Sequence, residues 1–188
     1  MSGAKLNGGM ASEDYKRLGR MTQAQLEEVF LRGEMPDMQA MAGWEYRGLN
    51  VAFWASRSPI QKFVKGFYAD GAGQLWGYNE PVKQNKPEGE WIAKPSDHDP
   101  KRFGFYRVDK VDPTAKDNEY LHAVLLDYGK GKNFPLDPAA RLRDYVVRVE
   151  HGSDELLLGK AYLAIGPMRV PSNFFVLERH RETSWVRP

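Results

Sequence analysis

The residues in this sequence best suited to acid–base or metal chemistry near neutral pH are four histidines: His98, His122, His151 and His180. No two of them have metal-ligand spacing, and the chain has no cysteine, so neither a zinc ligand set nor thiolate chemistry is predicted. The run Asp97-His98-Asp99 offers oxygen ligands for a hard cation, but its proline-rich surroundings favour a solvated loop. We therefore predict no metal site and no bound cofactor.

His122 is the histidine whose neighbours favour a functional role. It alternates with Tyr120, Val124 and Leu126 on one face of a predicted strand. If that face lines the interior of the protein, His122 is a candidate polar group for a pocket or a candidate haem ligand. A hydrogen-bonded core or surface histidine is the alternative.

Aromatic residues crowd the first half of the chain, and an aromatic-lined cavity with a few polar groups is typical of a small-ligand site. An arginine at the end of such a cavity would pair with an anionic head group, such as that of a fatty acid. Alternatively, these arginines are ordinary strand charges that face solvent. The predicted ligand-binding residues are His122, Tyr106, Arg102, Arg107, Trp76 and Trp91.

A helix is predicted from Thr22 to Leu31, ahead of most of the strand-like sequence. Thr22 is a suitable N-cap, and Leu26, Val29 and Phe30 form one apolar stripe. Gly33 then ends the helix. We expect this helix to pack on a sheet.

The remainder of the chain predicts about eight strands without βαβ alternation, which indicates an all-β fold. Closure into an antiparallel barrel would leave no exposed sheet edge. The proline-rich 80–100 segment is expected to loop over one mouth of the barrel, anchored by Trp91. The predicted strands are Glu45–Ala55, Lys62–Asp70, Gln74–Asn79, Arg102–Val111, Glu119–Tyr128, Arg141–Val149, Leu156–Ile165 and Ser172–His180.

The entry into the first strand carries a family resemblance. A helix followed by Gly43-Trp44 resembles the opening of lipocalin-like (calycin) barrels, in which a cation of the last strand, here Arg179 or Arg181, lies against that tryptophan. Phe30-x-x-Gly33-x-x-Pro36, followed by Met41-x-Gly43-Trp44-x-x-x-Gly48, is similar to the GXWXG-domain family of bacterial proteins. The resemblance implies a lipocalin-like barrel with Trp44 as a structural plug, and it implies no particular reaction.

Composition limits the classes of protein that remain. At 188 residues with 41% hydrophobic content, we expect one folded domain over residues 21–188, preceded by a flexible tail over 1–20. A net charge of +2 does not favour nucleic-acid binding. The first twenty residues lack the apolar core of a signal peptide and no run is long enough to span a membrane, so we expect a soluble, cytoplasmic protein.

Three function classes stay open on the sequence. The first, which we favour, is binding of a small hydrophobic or amphipathic molecule, fatty-acid-like, inside the barrel. The second is an isomerase or hydrolase that uses a buried histidine or acid in the same cavity, with a haem-binding calycin as a special case. The third is an interaction module built on the proline-rich loop. The oligomeric state is not predicted.

Overall fold

The computed structural model describes residues 10–51, 60–86, 89–134 and 136–188. Within these ranges, eight antiparallel strands pair in chain order, and the last pairs with the first to close a barrel. This confirms the predicted all-β barrel with a leading helix. The strands are β1 (Trp44–Val51), β2 (Lys62–Ala69), β3 (Leu75–Pro81), β4 (Phe103–Lys110), β5 (Val124–Asp127), β6 (Leu142–Glu150), β7 (Ser153–Ile165) and β8 (Met168–Glu182).

Three helices precede the barrel: α1 (Glu13–Gly19), α2 (Gln23–Arg32) and α3 (Met38–Met41). The predicted helix is α2, and it begins with a capping box in which Thr22 and Gln25 each accept a hydrogen bond from the other's backbone N–H. The helix α1 lies inside residues 1–20, which were predicted to be a flexible tail. The second half of that segment is therefore corrected to a helix. Ser12 caps α1, and its Tyr15 and Leu18 are buried against the barrel.

The central parts of β6, β7 and β8 are buried on both faces, because α2 covers part of the outside of the barrel wall. Phe30 of α2 lies edge-on to Phe174 of β8, with ring centroids 6.2 Å apart, and it packs in one cluster with Val147 of β6. The sequence predicted that this helix packs on a sheet, and the structure places it on these strands. On β6, the apolar face with Tyr145 and Val147 therefore packs outside the barrel.

One end of the barrel is closed by α3 and the start of β1. Met41 is fully buried there in the interior cluster, and Trp44 is half buried. The Arg179 Cζ atom lies 4.8 Å from the centroid of the Trp44 ring, where a cation contact was predicted. Arg181 instead pairs with Glu45 and with Glu80. The function of Trp44 as a stabilising plug stays a prediction.

Trp91, the predicted anchor of the 80–100 segment, does not lie over a mouth of the barrel. Trp91 is buried against the outer wall, where its Nε1 atom donates to the Gly48 carbonyl at 3.2 Å and its ring meets that of Tyr15. Residues 87 and 88 lie outside the described part of the chain. So do residues 52–59, with the end of the first predicted strand. None of the described helices is long and apolar enough to span a membrane.

The helix α2 supplies a test of this packing. Phe30→Ala should lower the free energy of unfolding by about 3–5 kcal/mol, because a fully buried ring is replaced by a cavity. Leu31→Ala on the same helix is the matched control, since Leu31 is exposed and should cost less than about 0.5 kcal/mol. Urea unfolding followed by circular dichroism measures both, and equal losses would contradict the packing of α2 on the barrel.

Candidate functional site

The half of the barrel away from α3 contains a cavity of about 200 Å³. Interior glycines make room for its aromatic walls: a Cβ atom on Gly159 would lie 2.0 Å from Cζ of Phe175, and one on Gly48 would lie 2.3 Å from Cε2 of Phe63. Each ring therefore lies flat across the glycine of the neighbouring strand. The lining residues are Asn50, Ile60, Phe63, Lys65, Asn79, Phe103, Gly104, Tyr128, Ala139, Leu142, Asp144, Ala161, Asn173 and Phe175.

A buried lysine–aspartate pair lies among these residues. The Nζ atom of Lys65 on β2 is 3.2 Å from Oδ2 of Asp144 on β6, and the side chains are only 3% and 4% exposed. The same Nζ atom donates to Oδ1 of Asn79 at 3.0 Å and to the hydroxyl of Tyr128. The three N–H groups of a protonated lysine are thus matched by three acceptors.

Tyr128 joins the lysine to the carboxylate. Its hydroxyl donates to Asp144 Oδ2 at 3.1 Å, and burial raises the Tyr128 pKa well above its ordinary value, so it remains a neutral donor. The ring is positioned by a 3₁₀ turn over Tyr128–Lys130, where the Asp127 side chain accepts from the Gly129 N–H at 2.9 Å. Asn133 fixes the same turn by donating to the Tyr128 carbonyl at 2.9 Å.

Burial opposes the charge on both members of the pair. It lowers the pKa of Lys65 and raises the pKa of Asp144, and their mutual attraction offsets part of each change. Four aromatic rings, those of Phe63, Tyr106, Tyr128 and Phe175, have centroids 4.8–5.6 Å from the Lys65 nitrogen. Both burial effects act to move the proton from Lys65 toward Asp144.

One polar atom of this cluster remains unsatisfied. Asp144 Oδ1 is buried and has no hydrogen-bond partner among the described residues. A buried acceptor without a donor costs about 1–3 kcal/mol. The cavity therefore presents an acceptor that a bound molecule could satisfy.

Of the six residues predicted to bind ligand, Tyr106 is the one inside the barrel. It is fully buried and donates to the Gly66 carbonyl at 3.1 Å. Trp91 is on the outer wall, as described above, and Trp76 is only partly buried and donates to Oδ2 of Asp70 at 2.8 Å. Neither tryptophan lines the cavity.

The two predicted arginines also lie away from the cavity. Arg107 pairs with Asp109 at 2.8 Å, and Arg102 pairs with the buried Glu80 at 3.2 Å. Burial and the neighbouring Glu45 raise the pKa of Glu80 to about 7. Both arginines already have carboxylate partners, so the predicted anionic head group has no arginine in this cavity to meet it.

The histidines are dispersed over the outside of the barrel. His122 lies in a turn before β5 rather than on a strand, and its Nε2 atom is 3.2 Å from the Phe30 carbonyl under α2. His98 is exposed, and His151 pairs with Glu34 at 2.7 Å. Burial lowers the pKa of His180 to about 4.

Within the described ranges, no histidine lines the cavity. No three metal-ligating side chains cluster there either. Asp97, considered above as a cation ligand, is paired with Arg181.

Sequence reasoning missed the residues that the structure brings together. Lys65 stands between Phe63 and Phe67 at positions that share one strand face, so a lysine on an otherwise aromatic face was a visible signal. Asp144 likewise shares a face with Leu142 and Val146. The adjacent positions Tyr145 and Val147 form the opposite, apolar face of β6, which packs in one cluster with Phe30 of α2.

Three larger clefts lie outside this cavity: one of about 510 Å³ beside the start of α2, one of about 640 Å³ beside α3, and one of about 310 Å³ beside Trp76. In the first, Lys160 and Glu27 pair with each other at 2.6 Å. Among the described residues, none of the three is lined by a buried polar side chain that lacks a partner. The chemistry that could recognise a ligand is therefore concentrated in the smaller cavity.

Comparison with known proteins adds no assignment to this geometry, because no protein-family model, curated protein or solved structure matches the chain.

Removing one member of the buried pair tests its electrostatics. Lys65→Met keeps most of the side-chain volume but leaves Asp144 without its cation, which should cost about 3–5 kcal/mol of unfolding free energy near neutral pH. Lys160→Met is the matched control: its partner Glu27 is 36% exposed and stays in contact with water when the lysine is removed, so the substitution should cost about 1 kcal/mol or less.

The loss in Lys65→Met should depend on pH. Burial raises the pKa of Asp144 in the folded protein, so the folded state of the variant binds more protons than the unfolded state, and its stability falls as pH rises. Urea unfolding should therefore show a smaller loss at about pH 5 than at about pH 8. A loss that is independent of pH would contradict a buried, uncompensated carboxylate.

Proposed function

We propose that this protein binds a small, mostly apolar molecule in the open half of the barrel, and that the molecule donates a hydrogen bond to Asp144. The observation that carries the proposal is the unpartnered Oδ1 atom of Asp144 beside an aromatic-walled cavity. Burial of the apolar part of the ligand against Phe63 and Phe175 would supply most of the affinity. The polar cluster would set its orientation.

The size of the cavity limits the ligand. Its volume of about 200 Å³ lies below the roughly 300–1,000 Å³ of pockets for drug-sized molecules. A ring with a short substituent is suited to that volume, whereas a long-chain fatty acid would extend beyond it.

The charge of the cluster limits the head group. Lys65 is already neutralised by Asp144, and its three N–H groups already have acceptors. An anionic head group would meet the free oxygen of Asp144 without gaining an unpaired cation. A neutral hydroxyl or N–H group satisfies that oxygen without adding charge to the interior.

Three probes that differ only in their head group test the proposal: 4-ethylphenol, 4-ethylanisole and 4-ethylbenzoate. We expect the phenol to bind tightest, and the ether, which lacks the donor, to bind about fivefold more weakly, because one net hydrogen bond contributes about 1 kcal/mol. The carboxylate should bind weakest. NMR titration of the ¹⁵N-labelled protein gives the three dissociation constants.

A cavity-filling variant locates the binding site. Ala161→Phe places a ring in the cavity and should abolish 4-ethylphenol binding, while Ala164→Phe on the same strand, whose position does not line the cavity, should leave it unchanged. Near-ultraviolet circular dichroism checks that both variants fold. Equal binding by wild type and Ala161→Phe would refute the proposed site, and tightest binding of 4-ethylbenzoate would refute the neutral head group.

A further inference from the structure

We propose that Lys65 is a nucleophile that condenses with the carbonyl group of a small aldehyde or ketone in this cavity to form an imine. The proposal rests on the proposed function, because the carbonyl compound must enter the same cavity. It assigns chemistry to a lysine that ligand binding alone does not require.

The geometry gives the amine the partners that imine formation needs. A proton acceptor, Asp144 Oδ2, lies 3.2 Å from the Lys65 nitrogen, and a proton donor, the Tyr128 hydroxyl, contacts both of them. Asn79 accepts from the amine at 3.0 Å and donates to the Gly104 carbonyl at 2.8 Å, which fixes the position of the nitrogen. A lysine in an apolar pocket with an adjacent base is an activated nucleophile.

The reaction balances with the groups present. A proton passes from the Lys65 ammonium to Asp144, and the nitrogen lone pair then forms a bond to the carbonyl carbon. The carbonyl oxygen takes the proton from Asp144 and becomes the hydroxyl of a carbinolamine. Asp144 next moves a proton from the nitrogen to this hydroxyl, the C–O bond breaks, and water leaves.

The net change is one ammonium and one carbonyl converted to one protonated imine and one water. The charge on nitrogen is the same before and after, so Asp144 remains its counter-ion and no new charge is buried. The carbinolamine also carries a hydroxyl group that the carbonyl compound lacks. Asp144 Oδ1, which has no partner among the described residues, can accept a hydrogen bond from this hydroxyl but not from the carbonyl compound, so it stabilises the intermediate more than the bound reactant.

Burial supports a reactive amine at this position. It lowers the pKa of Lys65, and each unit of lowering raises the neutral fraction of an amine about tenfold at neutral pH. Lys62 on the same strand is an internal comparison. It is equally buried, but its nitrogen lies outside the cavity, where it donates to the Gly89 and Glu90 carbonyls and lies 3.8 Å from the centroid of the Trp91 ring.

Reductive trapping tests the proposal on the wild-type protein. The protein is treated with limiting 4-ethylbenzaldehyde and sodium cyanoborohydride, and peptide mapping by mass spectrometry gives the labelling rate at each lysine. We expect Lys65 to be labelled faster than the exposed Lys101, because Asp144 lies within reach of its proton, and faster than Lys62, whose nitrogen lies outside the cavity. An excess of 4-ethylphenol should slow the labelling of Lys65 and leave Lys101 unchanged.

The outcomes separate this proposal from the proposed function. Labelling of Lys65 no faster than that of Lys101, in a protein that binds 4-ethylphenol, would overturn the imine and leave the binding proposal standing. Fast labelling that 4-ethylphenol does not slow would overturn the placement of the reaction in the cavity.

The Asp144→Asn variant tests the role of the carboxylate. If Asp144 transfers the proton, Lys65 should be labelled at least about tenfold more slowly in this variant than in the wild type, and unchanged labelling would overturn that role.

Discussion

The cost of burying the Lys65 ammonium and the Asp144 carboxylate determines how the open half of the barrel is built. Two charges that are almost fully removed from water require close contact and full hydrogen bonding, or the fold loses several kcal/mol. Asn79, Tyr128 and the turn that holds Tyr128 meet most of that requirement. The one atom left over, Asp144 Oδ1, is the acceptor on which the proposed ligand binding depends.

The closed half of the barrel and its outer wall hold this cluster in place. Met41 and the Trp44–Arg179 contact fill the end beneath α3, so the cavity is confined to the opposite end. On the outside, α2 buries the second face of β6 to β8 through residues such as Phe30. The strands that carry Asp144 and Phe175 are thus packed on both faces, and their side chains are positioned by the core rather than by flexible loops.

The sequence predicted features whose causes are local. The cap of α2 depends on Thr22 and Gln25, three residues apart, and the strand count depends on alternation within short segments. The Lys65–Asp144 pair is different in kind, since the residues are 79 positions apart, on strands that meet only across a closed barrel. A charged residue on an otherwise apolar strand face could have been noticed at each position. The contact between the two residues depends on strand register, which the pattern of a single sequence does not determine.

The residues of the predicted ligand set do not lie together, because the set ignored alternation along the strands. Tyr106 and Arg107 are consecutive on one strand and face opposite sides of it, so only one of them could reach the interior. His122 was placed on a strand, but the chain there forms a turn, and the histidine packs beneath α2 instead. The α1 helix was missed because its apolar contacts, Tyr15 and Leu18, are too few to stand out in a short charged segment.

The most direct test of the central claim is the location of bound 4-ethylphenol, measured by intermolecular nuclear Overhauser effects on the ¹³C-labelled protein. If the open half of the barrel is the binding site, the probe protons should show contacts to Phe63, Phe175 and Leu142, which line the cavity. Contacts confined to Met35 and Met38 beside α3, or to Val170 beside α2, would place the ligand in one of the outer clefts and contradict the claim.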